Sequence, residues 1–437
     1  MFLGNAGKKG MNGGILGMDL DDRSAQISYW LPGEQTPETV SAGGGEESRI
    51  PAVLCRRTDR DVWTYGKEAL ETARRGEGIP ADRLLSRALA GEQVEIGGEV
   101  FEAAALLALF IKRSLSLLGG SLRPEKADFF MFTLERVDRQ ALELVERIAA
   151  LLSLPPERVS CQSRAESFFY YNISQPEELW RHLCLVCDFN GERLKTLMFE
   201  VNRHTRPATV TVTQEEHAEF RRQENTEEMD EAFLSLFRGL SDGKIIDTIY
   251  LIGDGFAGEW YPKTLSVMCR NRRVFQGNNL YSKGACYGGR AKRPGGGVAG
   301  REYVYLGSDM LRVNVGLQAE KRGKELCLSL LDAGMNWFDA RGECEFLLDA
   351  DHTFTLRLTP VSGKKLREVV VTLSGVPERP PFATRILLSA WCPDAETVKL
   401  RMEDRGFGEF FPSSGLVWEE SLSLTEALAE QNVSAGR

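Results

Sequence analysis

The chain has 437 residues, of which 42% are hydrophobic and 27% are charged, a composition typical of folded globular proteins. At about 150 residues per domain, this length indicates about three domain-sized units. The net charge of −9 argues against a broad basic surface for nucleic acid. No apolar run reaches the ~20 residues that span a bilayer, and the glycine-rich start lacks the apolar core of a secretion signal. We therefore expect a soluble cytoplasmic protein without a membrane or nucleic-acid partner.

The nine cysteines are scattered, as in proteins of a reducing compartment. Cys184 and Cys187 form a C-x-x-C inside an apolar run, but a zinc site would need two further ligands at suitable spacing. The four histidines fall in no metal-binding or Ser/His/Asp spacing. The pattern therefore predicts buried free thiols.

In chain order, residues 1–12 are predicted to be a flexible tail. An apolar run over 15–20, the polar turn Asp21-Asp22-Arg23 and an alternating run over 25–30 predict a β-hairpin. Apolar residues at helical spacing predict helices over 101–118 and 138–154. Glu215 and Glu216 are assigned to an acidic helix surface.

The opening pattern then recurs. A buried-type strand over 183–188, the turn signal Asn190-Gly191 and a return strand over 196–201 predict a second hairpin. Asp19 and Asp188 hold the same position, where a strand meets its turn, which indicates two lobes of similar plan. A strand over 248–252 then enters the glycine-rich segment 253–258. After a linker over 293–306, strand-like pieces predict an all-β domain over 307–424 and a tail over 425–437.

Several segments along this plan match one known superfamily in order. They are Ile50-Pro51-Ala52-Val53, 65–69, 137–150, 163–171, 280–288, Leu373-Ser374-Gly375-Val376-Pro377 and 398–408. Together they resemble the actin, sugar kinase and seventy-kilodalton heat-shock chaperone superfamily, and the chaperones most of all. The resemblance implies a two-lobed actin-like ATPase fold with duplicated ribonuclease H-like lobes over 13–175 and 176–292. It also implies that the β domain is a sandwich similar to the chaperones' peptide-binding domain, without their helical lid.

In that superfamily the two hairpin turns hold the phosphates of a nucleotide. The resemblance therefore implies that Asp19 and Asp188 hold Mg²⁺ through water and position the attacking water, and that Glu166 stands for a hinge glutamate, although strict counting puts Ser163 there. The implied nucleotide-binding residues are Gly17, Asp21, Asp22, Arg23, Asn190, Gly191, Gly253, Asp254, Gly255 and Phe256.

Both turns depart from the family pattern. The family's first turn has Gly-Thr-Thr where this chain has Asp21-Asp22-Arg23. A carboxylate ~4 Å from a phosphate charge costs about 4 kcal/mol at an effective dielectric constant of ~20. Magnesium or the neighbouring arginine would offset part of this cost. The second turn keeps one of the family's three glycines, and the place of the catalytic lysine holds Leu70, with Lys67 three residues earlier.

Two functions follow. The first is a chaperone-like scaffold with a degenerate nucleotide-binding domain and weak or absent ATPase activity, which binds a peptide or protein through its β domain. The second is an active Mg²⁺-dependent ATPase that binds ATP and ADP. Hydrolysis would then be coupled to partner binding through 303–306, which resemble the chaperones' apolar linker. A filament-forming actin and a sugar kinase are disfavoured, because the β domain has no counterpart in them.

Overall fold

The computed structural model describes residues 13–42, 48–205, 207–293, 302–361 and 366–425. The predicted tail 1–12, most of the predicted linker (294–301) and most of the predicted last tail (426–437) lie outside these residues. The chain divides into two compact units. Unit 1 comprises Met1–Val201 and Val210–Glu302, and unit 2 comprises Asn202–Thr209 and Tyr303–Arg437.

Most of the regular elements precede residue 300. The strands there are β1 (Ile15–Leu20), β2 (Ser24–Trp30), β3 (Glu38–Thr39), β4 (Ile50–Pro51), β5 (Leu54–Arg57), β6 (Trp63–Tyr65), β7 (Gly78–Ala81), β8 (Gln93–Ile96), β9 (Glu99–Glu102), β10 (Phe129–Leu134), β11 (Val159–Ser163), β12 (Leu183–Phe189), β13 (Leu194–Asn202), β14 (Ala208–His217), β15 (Ile246–Ile252) and β16 (Arg273–Gln276). The α-helices are α1 (Gly66–Arg74), α2 (Leu84–Leu89), α3 (Ala103–Leu115), α4 (Arg139–Leu151), α5 (Arg164–Ile173), α6 (Thr226–Ser241), α7 (Pro262–Met268) and α8 (Leu280–Lys292).

The first sheet of unit 1 has the strand order β11-β10-β1-β2-β3, with β4 also paired to β2. β1 is buried along its whole length and is parallel to β10, which is parallel to β11. β2 is antiparallel to β1, as the predicted hairpin requires. The carboxyl ends of the three parallel strands therefore meet at one edge, which is where ligand sites form in α/β sheets.

The second sheet repeats this plan with the order β16-β15-β12-β13-β14. β12 is parallel to β15 and antiparallel to β13, and β15 is parallel to β16. Asp188 near the end of β12 lies beside Ile252, the last residue of β15, as Asp19 lies beside Thr133 near the end of β10. Both aspartates thus lie at the carboxyl edge of their sheet.

Helices α5 and α8 cross closely and also contact the first sheet. α5 begins after Ser163, whose Oγ accepts a hydrogen bond from the Glu166 N–H at 3.2 Å and caps the helix. A Cβ on Gly284 of α8 would lie 2.2 Å from the Ser167 carbonyl oxygen of α5, and a Cβ on Gly17 of β1 would lie 2.4 Å from the Ser282 carbonyl oxygen. Glycine at these two positions therefore lets the backbones approach.

Unit 2 has strands β17 (Tyr303–Tyr305), β18 (Val313–Lys321), β19 (Lys324–Leu331), β20 (Arg341–Leu348), β21 (Thr353–Pro360), β22 (Arg367–Thr372), β23 (Thr384–Trp391), β24 (Thr397–Asp404) and β25 (Val417–Ser423). Two four-stranded antiparallel sheets form, with the orders β19-β18-β21-β22 and β20-β23-β24-β25. Alternate residues of β21, β23 and β24 are buried, as expected for strands with one face on a core.

One buried ion pair organises the loop after β24 in unit 2. The Asp404 carboxylate accepts hydrogen bonds from Arg379 at 2.9 and 2.8 Å, and from the backbone N–H groups of Gly406 and Ser414 at 2.8 Å each. The Asp404 side chain is fully buried and that of Arg379 is 6% exposed. These bonds tie the loop between β24 and β25 to the end of its sheet.

The mixed α/β class with an all-β region at its C-terminal end is confirmed. Both predicted hairpins are also confirmed, as β1–β2 and β12–β13. The predicted helix over 101–118 begins later, at Ala103, because 99–102 form β9. The assignment of Glu215 and Glu216 to a helix is wrong, since both lie in β14. Among the described residues, no helix is long and apolar enough to cross a membrane.

All nine cysteines are free thiols. Six are buried, Cys344 is half-buried, and Cys269 and Cys327 are exposed, so the prediction of burial is wrong for the last two. Burial raises the pKa of Cys187 to about 12, and the Asp188 charge acts in the same direction. Within the described parts of the chain, no group of three or more His, Cys, Asp or Glu side chains is arranged to hold a metal ion.

Candidate functional site

A polar cleft of about 670 Å³ lies at the carboxyl edges of both sheets of unit 1. Its walls include the turn after β1, the turn after β12 and the segment 276–279 that follows β16. Arg164 at the start of α5 also lines it. The parallel strands explain this position, because the side chains that follow β1, β10, β11, β12 and β15 all emerge at these edges.

The Arg164 guanidinium lies among three carboxylates at the base of the cleft. Its Nε donates to Asp19 Oδ1 at 3.0 Å, and its Nη2 donates to Asp19 Oδ2 at 3.2 Å and to Asp21 Oδ2 at 2.8 Å. Its Nη1 lies 3.8 Å from Asp188 Oδ2. The guanidinium also lies 5.0 Å from the ring centre of Tyr281, whose hydroxyl donates to Asp188 Oδ2 at 3.3 Å. Arg164 thus connects the two aspartates that the sequence singled out.

The charges of this cluster are strongly coupled. Burial raises the pKa of the Asp19 and Asp188 carboxyls, and the Arg164 charge opposes the rise. Burial acts the same way on Asp21, but there the charge and hydrogen bond of Arg164 prevail and the pKa is lowered. Burial alone would lower the pKa of Arg164, yet the three carboxylates hold that pKa well above its usual value. The guanidinium therefore stays charged.

The first turn is closed by its own acidic side chain. Asp21 Oδ1 accepts hydrogen bonds from the backbone N–H groups of Arg23 and Ser24, both at 2.8 Å. Asp22 Oδ1 accepts from the Ser86 N–H at 2.8 Å, and so bonds to the start of α2. In a phosphate-binding turn, backbone N–H groups point at the ligand. Here two of them are used by Asp21.

The second turn follows the same principle. Asn190 Oδ1 accepts from the backbone N–H groups of Glu192 at 3.0 Å and Arg193 at 2.9 Å. Gly191 has a φ of +93°, which suits the left-handed position of a tight turn. Asn190 therefore supplies the acceptor that a bound phosphate would otherwise provide.

The segment after β15 packs against the second turn. A Cβ on Gly253, whose φ is +100°, would lie 2.1 Å from the Phe189 carbonyl oxygen, so only glycine fits here. Gly255 and Phe256 are buried, and the Phe256 ring is stacked on that of Trp260 with their centres 6.0 Å apart. Of this predicted adenosine loop, Asp254 is the residue that lines the cleft.

The lysine and arginine side chains of the cleft are already paired. In the part of the chain that the structure describes, five cationic residues line the cleft, and each lies at most 3.7 Å from a carboxylate oxygen. The pairs are Arg23–Glu192, Arg49–Asp254, Arg164 with Asp19 and Asp21, Arg193–Glu216 and Lys195–Glu135. A nucleotide phosphate would have to displace one of these carboxylates to obtain a cationic partner.

Of the predicted site residues, Asp21, Asp22, Arg23, Asp188, Asn190 and Asp254 line the cleft, and Glu166 and Gly17 serve packing instead. Glu166 is fully buried where α5 packs on α8, and its Oε1 is 2.5 Å from Lys292 Nζ. Gly17 lies within β1 against the backbone of Ser282 and serves packing. Lys67 lines a separate cavity of about 170 Å³ beside Tyr65.

Sequence reasoning missed Arg164 as a site residue, together with Arg49, Lys195 and Tyr281. One available signal was the position of Arg164 directly after β11, a strand parallel to β1. Carboxyl ends of parallel strands share an edge, so the residue after β11 was bound to emerge near Asp19.

The protein thus has a mixed α/β unit, with a charged cleft at the carboxyl edges of its two sheets, followed by an all-β unit. The profile of the C-terminal part of a family of unknown function, DUF5716, matches residues 36–308, and a domain of unknown function, DUF8552, matches residues 310–424. The first match covers more than half of the chain, so the chain belongs to the DUF5716 family. Comparison with curated proteins gives no match.

Proposed function

We propose that this protein is a degenerate relative of the actin, sugar kinase and heat-shock chaperone superfamily that acts as a protein-binding scaffold without ATPase turnover. The repeated strand order of the two sheets supports the ancestry, because duplicated ribonuclease H-like lobes have this plan. The aspartates near the ends of β1 and β12 approach the same guanidinium, that of Arg164, which supports the same ancestry.

The position of Arg164 is the main observation that supports the absence of ATPase activity. Its guanidinium binds Asp19 and Asp21 and approaches Asp188, the carboxylates that would have to organise Mg²⁺ and water. A divalent cation beside this buried guanidinium would meet a like charge at short range. The residues present therefore do not fit Mg²⁺ and a nucleotide in this arrangement, and no hydrolytic step is derived through them.

The two turns add a second, independent argument. Their N–H donors are held by Asp21 and Asn190, so a phosphate would gain little backbone hydrogen bonding. Every cation of the cleft wall has a carboxylate partner, so a phosphate would also lack a free counter-charge.

Unit 2 is the proposed partner-binding part. Several large apolar side chains of this unit are exposed, and Phe410 at 92% is the most exposed of them. The others include Phe382, Phe407, Val370 and Val417. Exposed apolar groups of this size are typical of surfaces that bind a protein or peptide.

A thermal-shift titration of the purified protein with MgATP and MgADP, repeated by calorimetry, tests the proposal. A ligand that binds the folded state raises its stability by ~2.7 kcal/mol at a hundredfold excess over its dissociation constant. We expect no shift at millimolar nucleotide. A clear shift, with heat of binding, would overturn the proposal.

The convergence of Asp19 and Asp188 on the Arg164 guanidinium also favours a second candidate, the Mg²⁺-dependent ATPase. That candidate requires Arg164 to withdraw when the nucleotide enters. It predicts phosphate release that is abolished in Asp188→Asn and retained in Arg147→Ala, a change at an exposed ion-paired arginine outside the cleft lining. Absence of phosphate release from the unmodified protein would remove it.

A further inference from the structure

Among the described residues, four ion pairs cross the cleft between elements of the first sheet and elements of the second. They are Arg164–Asp188, Arg23–Glu192, Glu135–Lys195 and Arg49–Asp254. The second pair is reinforced by a hydrogen bond of 3.4 Å from Arg23 Nη1 to the Asn190 carbonyl oxygen. Charges of opposite sign thus face each other from the turn after β1 to the segment after β15.

These pairs differ in how much they contribute to the stability of the closed cleft. In each of the other three pairs the carboxylate is about half exposed or more: Glu192 is 69%, Asp254 73% and Glu135 48% exposed. Exposed pairs contribute ~0–1 kcal/mol because water and salt screen them. Arg164 and Asp188 are both 14% exposed, and Arg164 also neutralises Asp19. Removing one partner of a buried pair is far more costly, because the other charge stays uncompensated.

We propose that Arg164 is an internal cation that locks the two turns together in the absence of any ligand. In this role it takes the place of a bound metal ion and keeps the cleft in one arrangement without a ligand. The inference rests on the proposed function, in which no nucleotide occupies the cleft. It goes further by assigning the closure of the cleft to one side chain.

The bonding of the guanidinium supports this assignment. Three of its nitrogen–oxygen distances to Asp19 and Asp21 lie between 2.8 and 3.2 Å, and its third nitrogen faces Asp188 across the cleft. A planar guanidinium can satisfy several carboxylates at once, which a lysine ammonium at the same place does less well. The Tyr281 ring covers the guanidinium and limits its access to water.

Without Arg164, the three carboxylates would repel one another across the cleft. The turns would then separate more often, and their backbone N–H groups would exchange with solvent faster. A small soluble guanidinium ion fits the space left by the side chain and carries the same charge and donors. It should therefore restore the closure, whereas sodium at the same concentration should not.

Amide hydrogen exchange of the full chain, without nucleotide, tests the proposal in the unmodified protein, Arg164→Ala and the matched control Arg193→Ala. Peptides over 19–24 and 188–195 report the turns, and a peptide from β15 reports folding of unit 1. We expect exchange of the turn peptides to be at least ~100-fold faster in Arg164→Ala, with little change in Arg193→Ala. Millimolar guanidinium chloride should reverse most of the effect, and an equal concentration of sodium chloride should not.

If the turn amides of Arg164→Ala exchange at the same rate as those of the unmodified protein, the lock is overturned. A loss of protection that guanidinium does not reverse would also overturn it. If β15 also loses protection in Arg164→Ala, Arg164→Lys replaces it. A turn exchange rate in Arg164→Lys that lies between the rates of the unmodified protein and of Arg164→Ala then supports the lock. A rate equal to that of the unmodified protein overturns it. Nucleotide binding to the unmodified protein would refute the proposed function and leave this result standing, so the two failures are distinguishable.

Discussion

Replacing Gly284 by alanine tests whether the close crossing of α5 and α8 sets the position of Arg164. The new Cβ would lie 2.2 Å from the Ser167 carbonyl oxygen, whereas real Cβ contacts do not fall below 3.0 Å. One helix must therefore move by at least 0.8 Å relative to the other. Arg164 is the first residue of α5, so this movement would also stretch its bonds to Asp19 and Asp21.

Two opposing effects set the magnitude. Overpacking of this kind costs ~1–3 kcal/mol, and the better helix propensity of alanine returns up to ~1 kcal/mol. The net loss for unit 1 should be about 1–2 kcal/mol, since the contact is with backbone and cannot be relieved by a rotamer change. For a unit of this size, that corresponds to a Tm about 2–3 °C lower.

Urea denaturation of the full chain, followed by hydrogen exchange of unit 1 peptides, measures the loss separately from unit 2. The matched control is Gly239→Ala in α6, where a new Cβ meets nothing within 4 Å. That change should stabilise unit 1 by ~0.8–1 kcal/mol, because only the helix propensity acts. A Gly284→Ala protein as stable as Gly239→Ala would refute the close-crossing argument.

Three further predictions concern charge and capping, and all are measured by urea denaturation. Asp404→Asn should destabilise unit 2 by ~3–5 kcal/mol, because Arg379 is left buried without its counter-charge. Burial acts to raise the pKa of Asp404, but the hydrogen bonds from Arg379 and Ser414 hold that pKa well below the usual value of 3.8. The ionised carboxylate therefore stabilises unit 2 above pH ~3.8, and this contribution is lost as the pH falls below that value. In Arg164→Ala the pKa of Asp188, which is already raised, should rise further. A carboxyl whose pKa is raised in the folded state lowers the free energy of unfolding as the pH increases through that pKa. The variant should therefore weaken, relative to the unmodified protein, as the pH increases from ~4 towards neutrality. Ser163→Ala should cost unit 1 about 1 kcal/mol through loss of the α5 cap.

Each of these outcomes can fail separately. Asp404→Asn should show a flatter acid profile for unit 2, and an unchanged profile would mean that the buried pair does not control it. Parallel pH profiles for Arg164→Ala and the unmodified protein would show that Arg164 does not set the ionisation of Asp188. Full stability of Ser163→Ala would show that the capping bond at 3.2 Å contributes nothing to unit 1.

The two hairpins could be predicted from local sequence patterns, since an apolar run, a polar turn and a return run define each of them. A site at the two turns was implied by the superfamily resemblance and not by these patterns. The partner of the predicted aspartates could not be found in this way. Arg164 lies 145 residues from Asp19, and residue spacing does not tell which charges pair at such a distance.

Other misses have the same physical origin. The resemblance identified Glu166 with a hinge glutamate at the catalytic site, but α5 turns its side chain towards Lys292 on α8. The double role of Asp21 was also hidden, because an acidic turn residue has the same sequence signature whether it closes its own turn or faces a ligand. The polar half of β14 lacks the alternation that marks a strand with one buried face, so it resembled a helix surface.

The distribution of thiols makes this protein easy to label selectively. The buried cysteines are shielded from alkylating reagents. Burial also raises the thiol pKa of Cys187 to about 12 and that of half-buried Cys344 to about 11, which slows their reaction further. Cys269 in unit 1 and Cys327 in unit 2 are the two exposed thiols. Maleimide dyes should therefore attach at one position in each unit without any engineered cysteine. Energy transfer between such a pair would follow the separation of the two units in the native chain, including any change that accompanies partner binding.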